Sequence, residues 1–127
     1  MFSHIMLGAD DIEVSRKFYD AALGALGVPP GAEDARGRVW WRTDRGIFAI
    51  SKPIDGGAAS CANGGTIGFA ASSPQAADAF HAAGLAHGGT AIEDPPGLRD
   101  GAFGLLHLAY LRDPAGNKVV AMHRVKS

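Results

Sequence analysis

Apolar residues follow two alternating periods along this chain. Over residues 3–9, Ile5, Leu7 and Ala9 alternate with His4, Met6 and Gly8, which predicts a strand with two unlike faces. Over residues 12–26 the period changes: Ser15, Phe18, Tyr19, Ala22, Leu23 and Leu26 recur at helical spacing. Asp11 suits the N-cap, where its carboxylate can accept a free backbone N–H, and Gly27 with Pro29-Pro30 stops the helix. The same design returns later. Residues 66–71 alternate, Ser73 caps, Pro74 fits the first helical position, Phe80, Gly84 and Leu85 continue a helical face, and Gly88-Gly89 ends it.

The return is a repeat. Shifted by 62 positions, "HIMLGADDIEVSRKFYDAAL" lies over "TIGFAASSPQAADAFHAAGL" without a gap, pairing Ile5 with Ile67, Leu7 with Phe69, Phe18 with Phe80 and Leu23 with Leu85. Strand material follows each helix. "GRVWWRT" and "GIFAISK" flank the turn "TDRG" as a hairpin, with a short extra strand near residues 33–37. In the second half "TAIE" is short, "AFGLLHLAYLR" is long, and "DPAG" turns into "NKVVAMH". Each module reads β-α-β-β-β, an α+β plan whose helices cover one face of each sheet and leave the other to curve around a cavity. The modules, about 1–55 and 65–127, are joined by the Gly/Ala-rich "GGAASCANGG" and form one domain over 1–127, since a half of about 60 residues would be marginal alone.

Composition narrows the function. The chain has 127 residues, a 46% apolar share and a net charge of -1, which fits one packed domain and leaves no nucleic-acid footprint. The apolar runs fall far short of the roughly 20 residues a bilayer requires, and no signal-peptide pattern is visible. The single Cys61 has no partner for a disulfide, in keeping with a cytoplasmic protein.

The opening "HIMLGADDIEVSRKFYDAALG" carries His4, Asp11, Ser15, Phe18-Tyr19 and Leu23-Gly24, and the closing "LRDPAGNKVVAMH" carries an Asp-Pro-x-Gly-Asn turn before a strand. With the doubled βαβββ plan and the loop "PPGLRDGAFG", these resemble the vicinal oxygen chelate superfamily, the glyoxalase/bleomycin resistance protein/dioxygenase family. That resemblance implies a curved mixed sheet around a cavity, in which metal-containing members bind Mn, Fe, Zn or Ni through His and Glu on several strands. Here the matching positions hold His4, Thr66, Val120 and, near the end of the first module, Ile50. Only His4 is a good metal donor, so the resemblance implies no metal site of the family type and no cofactor, with a divalent metal on atypical ligands as the remaining route.

The expected pocket residues are therefore His4, Met6, Trp41, Ile50, Thr66, Tyr110, Val120 and Met122, with Gly8 and Gly68 leaving room and Arg42 and Lys118 able to attract an anion. Trp41 aligns with Tyr110 in the repeat unless the turn shifts it by one. Alternation turns His107 and His123 away from the pocket, and His81 and His87 sit on the helix surface or end. Each pocket position also has a plain packing role. Three functions follow: a small-molecule binder of the bleomycin-resistance kind for an apolar or aromatic compound; a divergent lyase, isomerase or dioxygenase using His4 as a general base or an atypical metal site; or an interaction module whose cavity is filled. A homodimer is the expected partner state.

Overall fold

The computed structural model describes residues 1–102 and 104–125; Phe103, within the predicted strand over 102–112, lies outside them. The first module runs β1 (Ile5–Gly8), α1 (Ile12–Gly24), β2 (Ala32–Glu33), β3 (Val39–Thr43) and β4 (Gly46–Ser51). The second runs β5 (Ile67–Ala70), α2 (Pro74–Ala86), β6 (Thr90–Ala91), β7 (Gly97–Gly101), β8 (Gly104–Arg112) and β9 (Lys118–Arg124). Both helices start as their sequences dictate. Asp11 accepts from the Val14 N–H at 3.1 Å, and Ser73 accepts from the Ala76 N–H at 3.0 Å with Pro74 just behind it.

The strands form two mixed sheets, one per module, and among the described residues they do not join into one. The first has the order β1-β4-β3-β2; the second has β5-β9-β8-β6, with β7 continuing along β8 beyond β6. In each, the opening strand lies parallel to the closing strand. The extra strand is Ala32–Glu33 rather than a segment near 33–37. The Gly-rich segment read as a loop holds β7, which the prolines before it separate from β6: Pro95 and Pro96 lack the N–H of a continuous ladder, and Glu93 bends the chain at φ 59°.

One hydrophobic core crosses both modules. Ile5, Leu7, Val39, Trp41, Phe48 and Ile50 of the first sheet meet Phe18, Tyr19 and Leu23 of α1; Ala109, Leu111, Val119 and Ala121 of the second meet Ala77 and Phe80 of α2. The rings of Phe48 and Phe69 bridge the two sheets edge to face at 5.1 Å. α1 and α2 pack together. Gly84 makes their approach close, because a Cβ there would collide with the Leu111 side chain and come within 3.0 Å of Phe18.

The closing turn pins the modules at a buried polar knot. Asp113 accepts from the Asn117 and Ala115 N–H groups at 2.8 and 2.9 Å and from the Asn117 amide at 2.9 Å. Tyr19 of α1 donates its hydroxyl to the same carboxylate at 2.5 Å, and Asn117 also donates to the carbonyl of Gly8 at the end of β1, 3.0 Å away. The Asp-Pro-Ala-Gly-Asn motif therefore works as a clamp between the first and last strands. Burial, with the Asp113 carboxylate beside it, pushes the Tyr19 phenol well above its ordinary value.

Candidate functional site

Each sheet has a helix-covered face and an open face, and the registers assign every side chain to one of them. On the first sheet Met6 pairs with Ala49 and Ala49 with Trp40, giving an open-face row Met6–Ala49–Trp40. The next row is Gly8 and Ser51, and on the other side Ile47 pairs with Arg42. On the second sheet Gly68 pairs with Val120 and Val120 with Tyr110; the neighbouring rows hold Ala70, Met122 and Leu108, and Lys118 with Arg112. Ala49 and Val120 are buried but stand outside the helix-side core, whereas their strand neighbours Phe48, Ile50, Val119 and Ala121 are in it.

Aligned this way, Met6–Ala49–Trp40 corresponds to Gly68–Val120–Tyr110. Two of the expected pocket residues move. Trp41 is 2% exposed and belongs to the core; its indole N–H donates to Asp20 at 3.0 Å, and Asp20 also accepts from the Gly31 N–H at 2.8 Å. Ile50 is fully buried on the same side. The cause is the hairpin. Thr43 pairs with Gly46 across a two-residue turn, while Arg112 pairs with Lys118 across a longer one, so the modules differ in register and a one-residue shift exchanges faces. Trp40 and Ala49 take the open-face positions instead.

The remaining positions divide between the sheets. His4 precedes β1 and is exposed; its ring lies 5.8 Å from Trp40 and its Nδ1 lies 2.8 Å from the Ser3 hydroxyl. Met6 is 37% exposed. Tyr110, Val120 and Met122 share the open face of the second sheet, and Thr66 is exposed just before β5. A groove of about 960 Å³ runs from Met6 and Gly8 past Arg36, Arg38 and Ser51 to the linker at Ile54, where Ala59 folds over Gly8 and donates its N–H to Asp10 at 2.6 Å. A second groove, about 750 Å³, follows the seam between the modules past His4, Phe48 and Phe69. Neither gathers His4 with Thr66, Tyr110, Val120 and Met122.

A built feature on the first sheet escaped the sequence reading. The indole N–H of Trp40 donates to Asp34 at 2.9 Å, and Asp34 also accepts from the Arg36 and Arg38 N–H groups at 2.9 and 3.0 Å and from Arg38 Nε at 2.6 Å. The Trp40 bond foremost, with these others, holds the Asp34 carboxyl well below the usual carboxylate range against the desolvation that raises it. Arg38 and Arg42 lie 5.5 and 5.9 Å from the indole centroid. On the second sheet Lys118 stands 4.9 Å over the Tyr110 ring and is ion-paired to Glu93, the residue with positive φ. The spacing Asp34–Arg38–Trp40 was the available signal, but it has meaning only once Trp40 is known to face outward.

The metal positions of such a fold do not fit an ion here. His4 is the one good donor; Thr66 offers a weak neutral oxygen, and Ala49 and Val120 offer nothing. Among the described residues, no group of three or more His, Cys, Asp or Glu side chains is placed to hold a metal. The other histidines are used elsewhere. His107 pairs with Asp78 of α2 at 2.8 Å, His123 donates to the Ala71 carbonyl at 3.0 Å, and His87 donates to the Ala83 carbonyl at 2.8 Å at the helix end. Burial pushes the His81 imidazole down. Cys61 is exposed and lies against Gly116 of the closing turn.

Paired βαβββ modules with parallel first and last strands define a glyoxalase-like fold. A glyoxalase/bleomycin resistance protein from Albidiferax ferrireducens T118 is 59% identical over 98% of this chain and 99% of that one, with a TM-score of 0.95. The chain belongs to the glyoxalase/bleomycin resistance protein family, within the vicinal oxygen chelate superfamily. A glyoxalase/bleomycin resistance protein/dioxygenase family enzyme from Burkholderia phytofirmans PsJN shares the fold at 15% identity, covering 97% and 98% of the two chains with a TM-score of 0.71. A glyoxalase-related enzyme from Fulvimarina pelagi does so at 17% identity, covering 98% and 88%, also at 0.71. No family model matches the chain, and no curated protein does.

Proposed function

We propose that the protein binds a small apolar or aromatic molecule on its open sheet faces, without the metal ion that many proteins of this fold carry. The observation that carries this is the pair of rows Met6–Ala49 on the first sheet and Gly68–Val120 on the second: both open faces are apolar at their centres, and Ala49 and Val120 stand where the fold's usual acid ligands would be. Apolar surface edged by a few polar groups is the common lining of a small-molecule site. Two copies of the chain close these faces against each other. Support for pairing comes from Met6, Leu106, Leu108 and Met122, which are left partly exposed on the two sheets. The free, exposed Cys61 fits a reducing, intracellular setting.

Elemental analysis after growth with added Ni, Zn, Mn and Fe, followed by a thermal-shift screen of aromatic antibiotics and thiol conjugates, tests the proposal. Substoichiometric metal and stabilisation by an aromatic compound are expected. A stoichiometric metal lost in His4→Ala would replace the binder with a metalloenzyme. Light scattering showing a monomer with ligand bound would remove the pairing.

A further inference from the structure

We infer that the first sheet's open face takes a planar aromatic molecule carrying an acidic group, its ring against Trp40 and its anion on Arg42. This rests on the binding function proposed above and names its ligand class. The indole of Trp40 is half-buried and belongs to no core cluster, yet its plane is fixed by the Asp34 bond, and Asp34 is itself held by three further donors. A fixed aromatic surface at an open sheet face is preorganised for stacking.

The shape of the row suits one ring. Met6 on β1 and Trp40 on β3 are separated by β4, so their backbones stand about 9.6 Å apart at the usual strand spacing. Between them the floor is Ala49, the smallest chiral residue. In the second sheet the same place is filled by Val120.

The charge is equally unequal. Arg38 is neutralised by Asp34, and Lys118 of the second sheet by Glu93. Arg42 is exposed, touches only the edge of cation–π range at 5.9 Å, and among the described residues has no acid partner. It lies two residues along β3 from Trp40 on the same face, about 6.6 Å away, a separation that an aryl carboxylate spans. A guanidinium there offers two parallel N–H groups to a carboxylate.

The full chain should be titrated with 2-naphthoate, 2-naphthylmethylamine and 2-naphthalenemethanol while the two indole N–H signals are followed by 1H–15N NMR. Trp40→Phe assigns the signals, and the Trp41 signal reports that each variant is folded. Naphthoate is expected to move the Trp40 signal alone, to bind about tenfold more tightly than the amine or the alcohol, and to lose that margin in Arg42→Gln. Arg42→Glu is expected to invert the preference toward the amine. Equal binding of acid and amine, or naphthoate binding unchanged in Arg42→Gln, overturns the inference while leaving an aromatic binder. Shifts confined to the backbone amide signals of the second sheet around Tyr110, read in the same spectra, overturn the location. If no naphthalene compound moves any signal, this inference falls, while the function proposed above stands or falls on its own thermal-shift screen.

Discussion

Replacing Tyr19 with Phe should cost stability in a way that depends on alkaline pH. The hydroxyl ties α1 to the buried Asp113–Asn117 knot, donating at 2.5 Å to a carboxylate that three other N–H donors also hold. Removing it leaves Asp113 partly satisfied, so the loss is that of one hydrogen bond to a charged acceptor, about 1.5–3 kcal/mol. For a chain of 127 residues this lowers Tm by about 6–11 °C. The pH dependence has a definite sign. The folded pKa of Tyr19 is raised above the ordinary 10.0, so its contribution is complete below pH 10. It declines as pH rises toward the folded value, because the unfolded chain releases the proton first. The wild-type advantage over Tyr19→Phe should therefore shrink by about 1.4 kcal/mol by roughly pH 11. Ionisation of other groups cancels in the difference. Urea unfolding of both proteins between pH 7 and 11 gives the comparison. A variant within about 0.5 kcal/mol of wild type at pH 7, or a difference that stays flat to pH 11, would refute the clamp.

Three other outcomes are expected. Gly84→Ala should lower Tm despite the better helix propensity of Ala, because overpacking against Leu111 and Phe18 costs about 1–3 kcal/mol against a propensity gain of about 1; calorimetry decides the net sign. Asp34→Asn should destabilise at neutral pH. Its folded pKa lies below the ordinary 3.8, so the carboxylate's contribution is present above that value and fades as pH falls through the folded one; the two proteins' urea midpoints should converge in strong acid. Chelator treatment should leave the melting curve unchanged, since the residues at the fold's metal positions include one good donor, His4.

Much of the fold is legible along the chain because its cues are local. Asp11 and Ser73 cap helices through their own backbones, and the same periods recur at a fixed shift of 62 residues. β7 was not legible: "GLRDG" has no strong strand composition, and it forms a strand because the long β8 offers it an edge. The closing turn was recognisable as a motif but not as a clamp, since its partners Tyr19 and Gly8 lie 94 and 109 residues away.

The candidate site separates the two levels of information most clearly. Met6, Tyr110, Val120 and Met122 follow the alternation of their strands onto the open faces, because a strand's side chains take opposite faces in turn. Trp40 and Trp41 could not be assigned, because alternation fixes only that the two differ. The half-buried carboxylate of Asp20 and the ring of Tyr19 draw Trp41 inward, and the two-residue hairpin turn sets the register that leaves Trp40 outside. Sequence determined the fold, the repeat and the poverty of metal donors, all properties of residue type and local spacing. Tertiary packing decided which tryptophan stands on the open face, because that choice depends on which neighbour the other one can bury against.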